Sequence, residues 1–213
     1  MTVESRGLFR LAEWFTELDE SALSLLARYH AELLKFNKRL NLISRNTERE
    51  SDEIHIADSI LAVRSLPPLP EGSIVYDMGS GNGLPGVVLA ILNATVNVVA
   101  VDSDSRKCEF IKHVADGLSL SNLSVKNARV ESLGEVHLAV TRGLASISKL
   151  LSVCEGGFPL GSRIFHLKGA QWETEMREIP SETAGKWSAE IISEYKLPVS
   201  MIQRVVVSTT RTS

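Results

Sequence analysis

Between Asp77 and Gly86 the chain reads Asp-Met-Gly-Ser-Gly-Asn-Gly-Leu-Pro-Gly. Gly79, Gly81 and Gly83 alternate with Ser80 and Asn82. Residues without a Cβ let a ligand lie against bare backbone, and the N–H groups of the turn that follows point into the same space. Such a loop suits a nucleotide-sized ligand. A phosphate loop would carry Gly-Lys-Ser/Thr after its glycines, but Leu84-Pro85-Gly86 stands there, which argues against triphosphate hydrolysis. Gly81, Gly83 and Gly86 satisfy G-x-G-x-x-G, so a dinucleotide and hydride transfer remain open on spacing alone. Two acids flank the loop: Asp77 just before it, and Asp102 at the end of the apolar run Val96 to Val101. Arg142 follows Val136 to Thr141, and Lys168 follows Arg163 to Leu167. All four charged residues therefore fall at or just past the end of a strand-like run.

The elements that must position these residues follow from periodicity. Leu25, Leu26, Tyr29, Leu33, Phe36 and Leu40 recur every three or four residues, predicting an amphipathic helix from Ser21 to Leu40. A shorter helix is expected over Leu8 to Leu18, and a third from Thr47 to Leu66, ended by Pro67-Pro68-Leu69-Pro70. Beyond that linker strands and helices alternate, with strands at Ile74–Tyr76, Val96–Val101, Leu123–Lys126, Val136–Thr141, Arg163–Leu167, Ile191–Leu197 and Arg204–Ser208. Alternation predicts an α/β fold, a doubly wound and mostly parallel sheet. The last two strands, with no full helix between them, suggest one antiparallel edge. The expected organisation is a helical cap over residues 1–66 and a ligand-binding α/β domain over residues 67–213. In an open parallel sheet a ligand sits outside the C-terminal strand ends, so Asp77, Asp102, Arg142 and Lys168 are expected to converge on one crevice.

An acid, G-x-G-x-G and a second acid at the next strand end form the arrangement seen in S-adenosylmethionine-dependent methyltransferases, the class I, Rossmann-like kind. More specifically, Phe36-Asn37-Lys38-Arg39-Leu40-Asn41-Leu42-Ile43-Ser44, then His55-Ile56-Ala57-Asp58-Ser59, then the glycine loop with its Leu-Pro-Gly ending, resemble the glucose-inhibited division protein B family. The likeness continues through Asp102-Ser103, Arg106-Lys107, Arg129-Val130-Glu131, Thr141-Arg142-Gly143 and Leu167-Lys168-Gly169, and so spans most of the chain. That family comprises bacterial small-subunit ribosomal RNA guanine-N7 methyltransferases. The resemblance implies that S-adenosyl-L-methionine is held by Gly79, Leu84, the Val130-Glu131 pair and Arg142, with Asp102 at the ribose; the acid-and-glycine loop itself adds Asp77, near the methionine ammonium, and Gly81. It implies 16S ribosomal RNA or the small subunit as partner, and Arg142 and Lys168, cations at strand ends beside the loop, are expected to be the catalytic residues on the guanine side. The chain departs from the family at Gly143, where alanine is usual, at Leu167, where an aromatic is usual, and at Val207-Ser208-Thr209, where a lysine is usual. These departures are expected on the substrate side. An NAD(P)-dependent oxidoreductase and a catalytically lapsed RNA-binding relative are the alternatives.

Composition bounds the rest. The chain has 213 residues and a net charge of −3, so any nucleic-acid contact must be local. Six cations, Arg28, Lys35, Lys38, Arg39, Arg45 and Arg49, face only Glu32 and Glu48 in the same stretch, a local net of +4. The most apolar run, Val87 to Leu92, is too short to span a bilayer, and no leader pattern opens the chain, so a cytoplasmic monomer away from membranes is expected. Cys108 and Cys154, without Cys-x-x-C or paired histidines, argue against a metal site. His55 and Asp58, one turn apart, are expected to form a packed hydrogen-bonded pair rather than a catalytic dyad.

Overall fold

The protein is described by a computed structural model over residues 10–213. Seven strands form one sheet: β1 (Ile74–Met78), β2 (Asn97–Asp102), β3 (Leu123–Asn127), β4 (Leu138–Arg142), β5 (Arg163–Lys168), β6 (Trp187–Lys196) and β7 (Gln203–Arg211), in the order β3-β2-β1-β4-β5-β7-β6. The first five pair in parallel, and β7 runs antiparallel to both its neighbours. The helices that matter for the site are α1 (Glu20–Leu40), α2 (Asp58–Ser65), α3 (Gly86–Leu92), α4 (Ser105–Gly117), α5 (Ile147–Cys154) and α6 (Trp172–Arg177). Among the described residues no helix is long and apolar enough to cross a membrane.

Successive residues of a strand face opposite sides of the sheet, and the core divides accordingly. Val140, Phe165 and Val206 join one apolar cluster, while their neighbours Ala139, Ile164 and Val205 join the other. Leu26, Tyr29 and Leu33 of α1 bury in the same cluster as Val88, Leu89, Phe110 and Ile111 of α3 and α4. The N-terminal helices and the sheet therefore share one core. Asp19 caps α1 through Ala22 N–H, and Asn41 ends it in the left-handed region.

Two expectations change. Of the helix predicted over Leu8 to Leu18, Leu8 and Phe9 lie outside the described residues, residues 10–14 are helical, and a turn follows. The helix expected from Thr47 is instead a 3₁₀ turn, Arg45–Thr47, capped by the Ser44 hydroxyl, and then a π-helical stretch, Asp52–Ala57, that runs into α2. The Asp58 N–H reaches back to the Glu53 carbonyl, five residues away, and the wider turn rotates the side chains that follow. The last two strands do form the expected antiparallel edge, with the later strand, β7, on its inner side. The short link from Leu197 to Ile202 forces a hairpin, and its return strand inserts between β5 and β6. Val205, Val206 and Val207 are buried, so β7 needs a neighbour on each side, whereas β6 is largely exposed and polar and tolerates the edge.

Candidate active site

The strand order reverses between β1 and β4, and the C-terminal ends of β1, β2, β4 and β5 open there onto a crevice of about 840 Å³. Gly79, Gly81, Asp102, Arg142 and Lys168 line it. A smaller recess of about 210 Å³ has apolar walls from Val101, Ala128, Val130, Leu144 and Leu150, with Glu131 at its edge. Gly79, Asp102 and Leu144 line both cavities, so the two join at the mouth of the glycine loop.

The loop is held from three directions. From β2, the Val101 carbonyl accepts from both Gly79 N–H and Ser80 N–H at 2.9 Å. From below, Asp77 Oδ2 accepts from Gly86 N–H at 2.9 Å. From the cap, the buried Tyr29 hydroxyl donates to the Asn82 carbonyl at 2.7 Å. Gly79 needs its lack of a side chain: its φ is +71°, and a Cβ there would lie 2.5 Å from Leu144 Cδ1.

Asp77 lies beneath the loop rather than in the wall of either cavity, fully buried, with Oδ1 unpartnered among the described residues. Burial penalises its charged form and pushes its carboxyl up to about 6. Asp102 stands at the junction of the cavities. Its Oδ2 accepts from Gly81 N–H at 2.8 Å and its Oδ1 from Asp104 N–H at 2.8 Å. A carboxylate oxygen accepts twice, so each still has a lone pair for a diol.

Arg142 and Lys168 reach the crevice already engaged. Arg142 Nη1 lies 3.5 Å from Asp58 Oδ2 and donates to the His55 carbonyl at 3.4 Å. Lys168 Nζ pairs with Glu175 Oε2 at 2.7 Å and donates to the Ala145 carbonyl at 2.7 Å. Glu175 also accepts from Ile147 N–H, so it ties the segment after β4 to α6.

The side chains of His55 and Asp58 do not bond each other. His55 Nε2 pairs with the Thr47 hydroxyl at 2.9 Å, and burial, then the neighbouring Arg142, hold its ring neutral, down to about 3. Asp58 Oδ1 instead accepts from the Tyr195 hydroxyl at 2.9 Å and lies 3.5 Å from Arg204 Nε. The π-helical turn before Asp58 supplies the reason, since it turns the carboxylate from the cap toward β4, β6 and β7. Burial, then Asp58, raise the Tyr195 phenol above its ordinary value, so it stays a donor.

Arg204, Tyr195, Glu175 and Leu144 escape the sequence reading. Arg204 had a signal: an antiparallel strand begins where its parallel neighbours end, which places the first residues of β7 beside Lys168. The departures divide. Gly143 and Leu167 do line the crevice, whereas Val207, Ser208 and Thr209 are buried deep in the sheet, opposite His166, Phe165 and Ile164, and are not on the substrate side.

Of the six cations between Arg28 and Arg49, Arg28 donates to the Gly117 carbonyl and Lys35 pairs with Glu32. Lys38, Arg39, Arg45 and Arg49 are exposed and make no ion pair among the described residues. Leu42, in the middle of this group, lines the crevice. Cys108 and Cys154 are buried free thiols.

The profile of the family described as GidB, rRNA small subunit methyltransferase G, matches residues 22–198. A curated relative, ribosomal RNA small subunit methyltransferase G 3 of Bdellovibrio bacteriovorus, is 42% identical across 94% of this chain and 92% of its own. Ribosomal RNA small subunit methyltransferase G of Desulfotalea psychrophila is 31% identical across 90% of each. Among solved structures, a predicted O-methyltransferase from Agrobacterium tumefaciens matches 73% of this chain and 81% of its own with a TM-score of 0.59 at 16% identity, a likeness of fold. Hydride transfer, open on the glycine spacing, gives way to methyl transfer. The chain belongs to the GidB family of small-subunit ribosomal RNA methyltransferases.

Proposed function

We propose that the protein transfers a methyl group from S-adenosyl-L-methionine to N7 of a guanine in 16S ribosomal RNA, acting in the cytoplasm as a monomer on the RNA or the small subunit. The observation that carries this reading is the junction at Gly79 and Asp102, where an apolar recess opens into a crevice carrying Arg142 and Lys168. The residues present fit the cofactor. Apolar walls at Val130 and Leu150, with Glu131 at the edge, suit an adenine. The spare lone pairs of Asp102 suit ribose hydroxyls, and the bare backbone of Gly79 and Gly81, beside Leu84, leaves room for the methionine portion. Asp77, beneath the loop, holds the helix start in place through Gly86. When bound, S-adenosylmethionine supplies an electrophilic methyl group on a sulfonium.

Guanine N7 is a lone-pair nucleophile with no proton to remove. In-line placement is then the main requirement, and well-oriented reactants contribute up to about 7–11 kcal/mol. The site agrees: His55 is neutral and spent on Thr47, so the crevice offers cationic hydrogen-bond donors instead of a free imidazole base. Arg142 presents a planar fork to the base edge or a phosphate. Lys168 does so only after leaving Glu175.

The test is incorporation of labelled methyl from S-adenosylmethionine into naked 16S RNA, small subunits and free nucleotides. Borohydride reduction and aniline scission at the product then read out N7. Label in the RNA or the subunit, with scission at one guanine, is expected. No incorporation into either, or tight binding of NAD in calorimetry, overturns the reading.

A further inference from the structure

Past Gly169, on the side of the crevice away from the glycine loop, lies another recess of about 310 Å³, lined by Trp172, Glu173, Glu194, Gln203 and Arg204. Gly169 and Arg204 line both this recess and the crevice, so the two are contiguous. Trp172 is half-buried and packs against the second apolar cluster, which braces the indole where it faces the recess. Across from it Gln203 Nε2 donates to Glu194 Oε2 at 3.1 Å. Arg204 is held at the boundary, with Nη1 donating to the Gln203 carbonyl at 3.4 Å and Nε 3.5 Å from Asp58 Oδ1.

This chemistry selects its occupant. Of its two carboxylates Glu173 is paired with Arg177 at 3.0 Å, which leaves Glu194 to repel a phosphate and accept a hydrogen bond from an amino group. A braced indole offers a flat face on which any base can stack. The guanidinium at the boundary suits the phosphate that joins one nucleotide to the next.

We propose that this recess is a subsite for the nucleobase next to the methylated guanine. That base stacks on Trp172, donates an exocyclic amino group to Glu194, and leaves its linking phosphate at Arg204 while the guanine occupies the crevice. The inference rests on the RNA reading above and adds a second point of contact.

The experiment compares the wild-type enzyme with Trp172→Ala and Trp172→Phe on a synthetic RNA carrying the mapped guanine, intact or with an abasic nucleotide on either side. Stacking by one base predicts a fall in kcat/KM of roughly fivefold to a hundredfold for Trp172→Ala, with Trp172→Phe retaining most of the wild-type value. On one side the abasic nucleotide should slow the wild type by a similar factor and slow Trp172→Ala no further. S-adenosylhomocysteine affinity, unchanged in Trp172→Ala, controls for folding. Wild-type kinetics for Trp172→Ala, or abasic and alanine losses that simply multiply, overturn the subsite alone. Failure of the wild type to methylate RNA at all overturns both readings.

Discussion

Asp77 shows how one side chain can serve a loop while resisting its own charge. Its ordinary carboxyl value is 3.8 and burial pushes it up to about 6, so the folded protein holds this proton more tightly than the unfolded chain does. The stability the group contributes is full below about 4 and is lost as pH rises through about 6. Asp77→Asn keeps an oxygen for Gly86 N–H and does not titrate. Melting temperatures should therefore show the asparagine variant gaining on the wild type between about pH 4 and 7, with the gap constant above that. A parallel pair of curves would mean that the acid is not held in this state. Asp102 differs, because its two oxygens tie Gly81 and Asp104 together at the junction of the cavities. Asp102→Ala should weaken cofactor binding by about 1.5–3 kcal/mol, the range for hydrogen bonds to a charged group. Calorimetry with S-adenosylhomocysteine reads this, and a loss well under that range would reduce Asp102 to a brace for the loop. Gly79→Val places a branched side chain at φ +71° and drives Leu144 into the cavity mouth. Cofactor affinity should fall at least tenfold in a protein that still folds, and unchanged affinity would remove Gly79 from the site.

At the scale of elements, the stretch around Leu42 joins the crevice to exposed charge. Phosphate contacts position RNA without touching the transfer step. Neutralising Lys38 and Arg39 together should raise the Michaelis constant, leave turnover intact, and lower the salt slope of binding by roughly 0.7–0.9 for each phosphate that these cations neutralise in the wild type. An unaltered slope would make this face ordinary solvated surface. The same segment shows where the sequence was readable and where it was not. Alternating glycines, an acid at a strand end and a three-to-four repeat are local patterns, so the loop, the strand ends and α1 could be placed from neighbours alone. The partners of Asp58 could not. Arg142, Tyr195 and Arg204 arrive from three strands far along the chain, and a π-helical turn, invisible in hydrophobic spacing, decides that the carboxylate meets them and not His55. Likewise the ion pair of Lys168 with Glu175 depends on how α6 folds back over β5, and the placement of β7 inside the sheet depends on which of two strands is the more apolar.

For the molecule as a whole, the shared core makes cap and sheet one cooperative unit. Leu26, Tyr29 and Leu33 cover Leu89, Phe110 and Ile111, and removing even one such buried side chain costs about 2–5 kcal/mol. A chain limited to residues 67–213 should therefore show no cooperative thermal transition, while the full protein melts in one step by circular dichroism; a stable truncated domain would contradict this. The final consequence concerns the carboxylate of Asp58, which stands alone between the guanidinium groups of Arg142 and Arg204. Formally one negative charge there meets two positive ones, and the crevice floor keeps a surplus. On the N7 reading, a methylated guanine carries the positive charge that the sulfonium gave up. The turnover thus moves a cation from beside the glycine loop onto the base that lies against that surplus. The target base arrives neutral on a strand drawn in through its phosphates; once methylated it is a cation set against that surplus, so the enzyme's own charge distribution should favour release of what it has made.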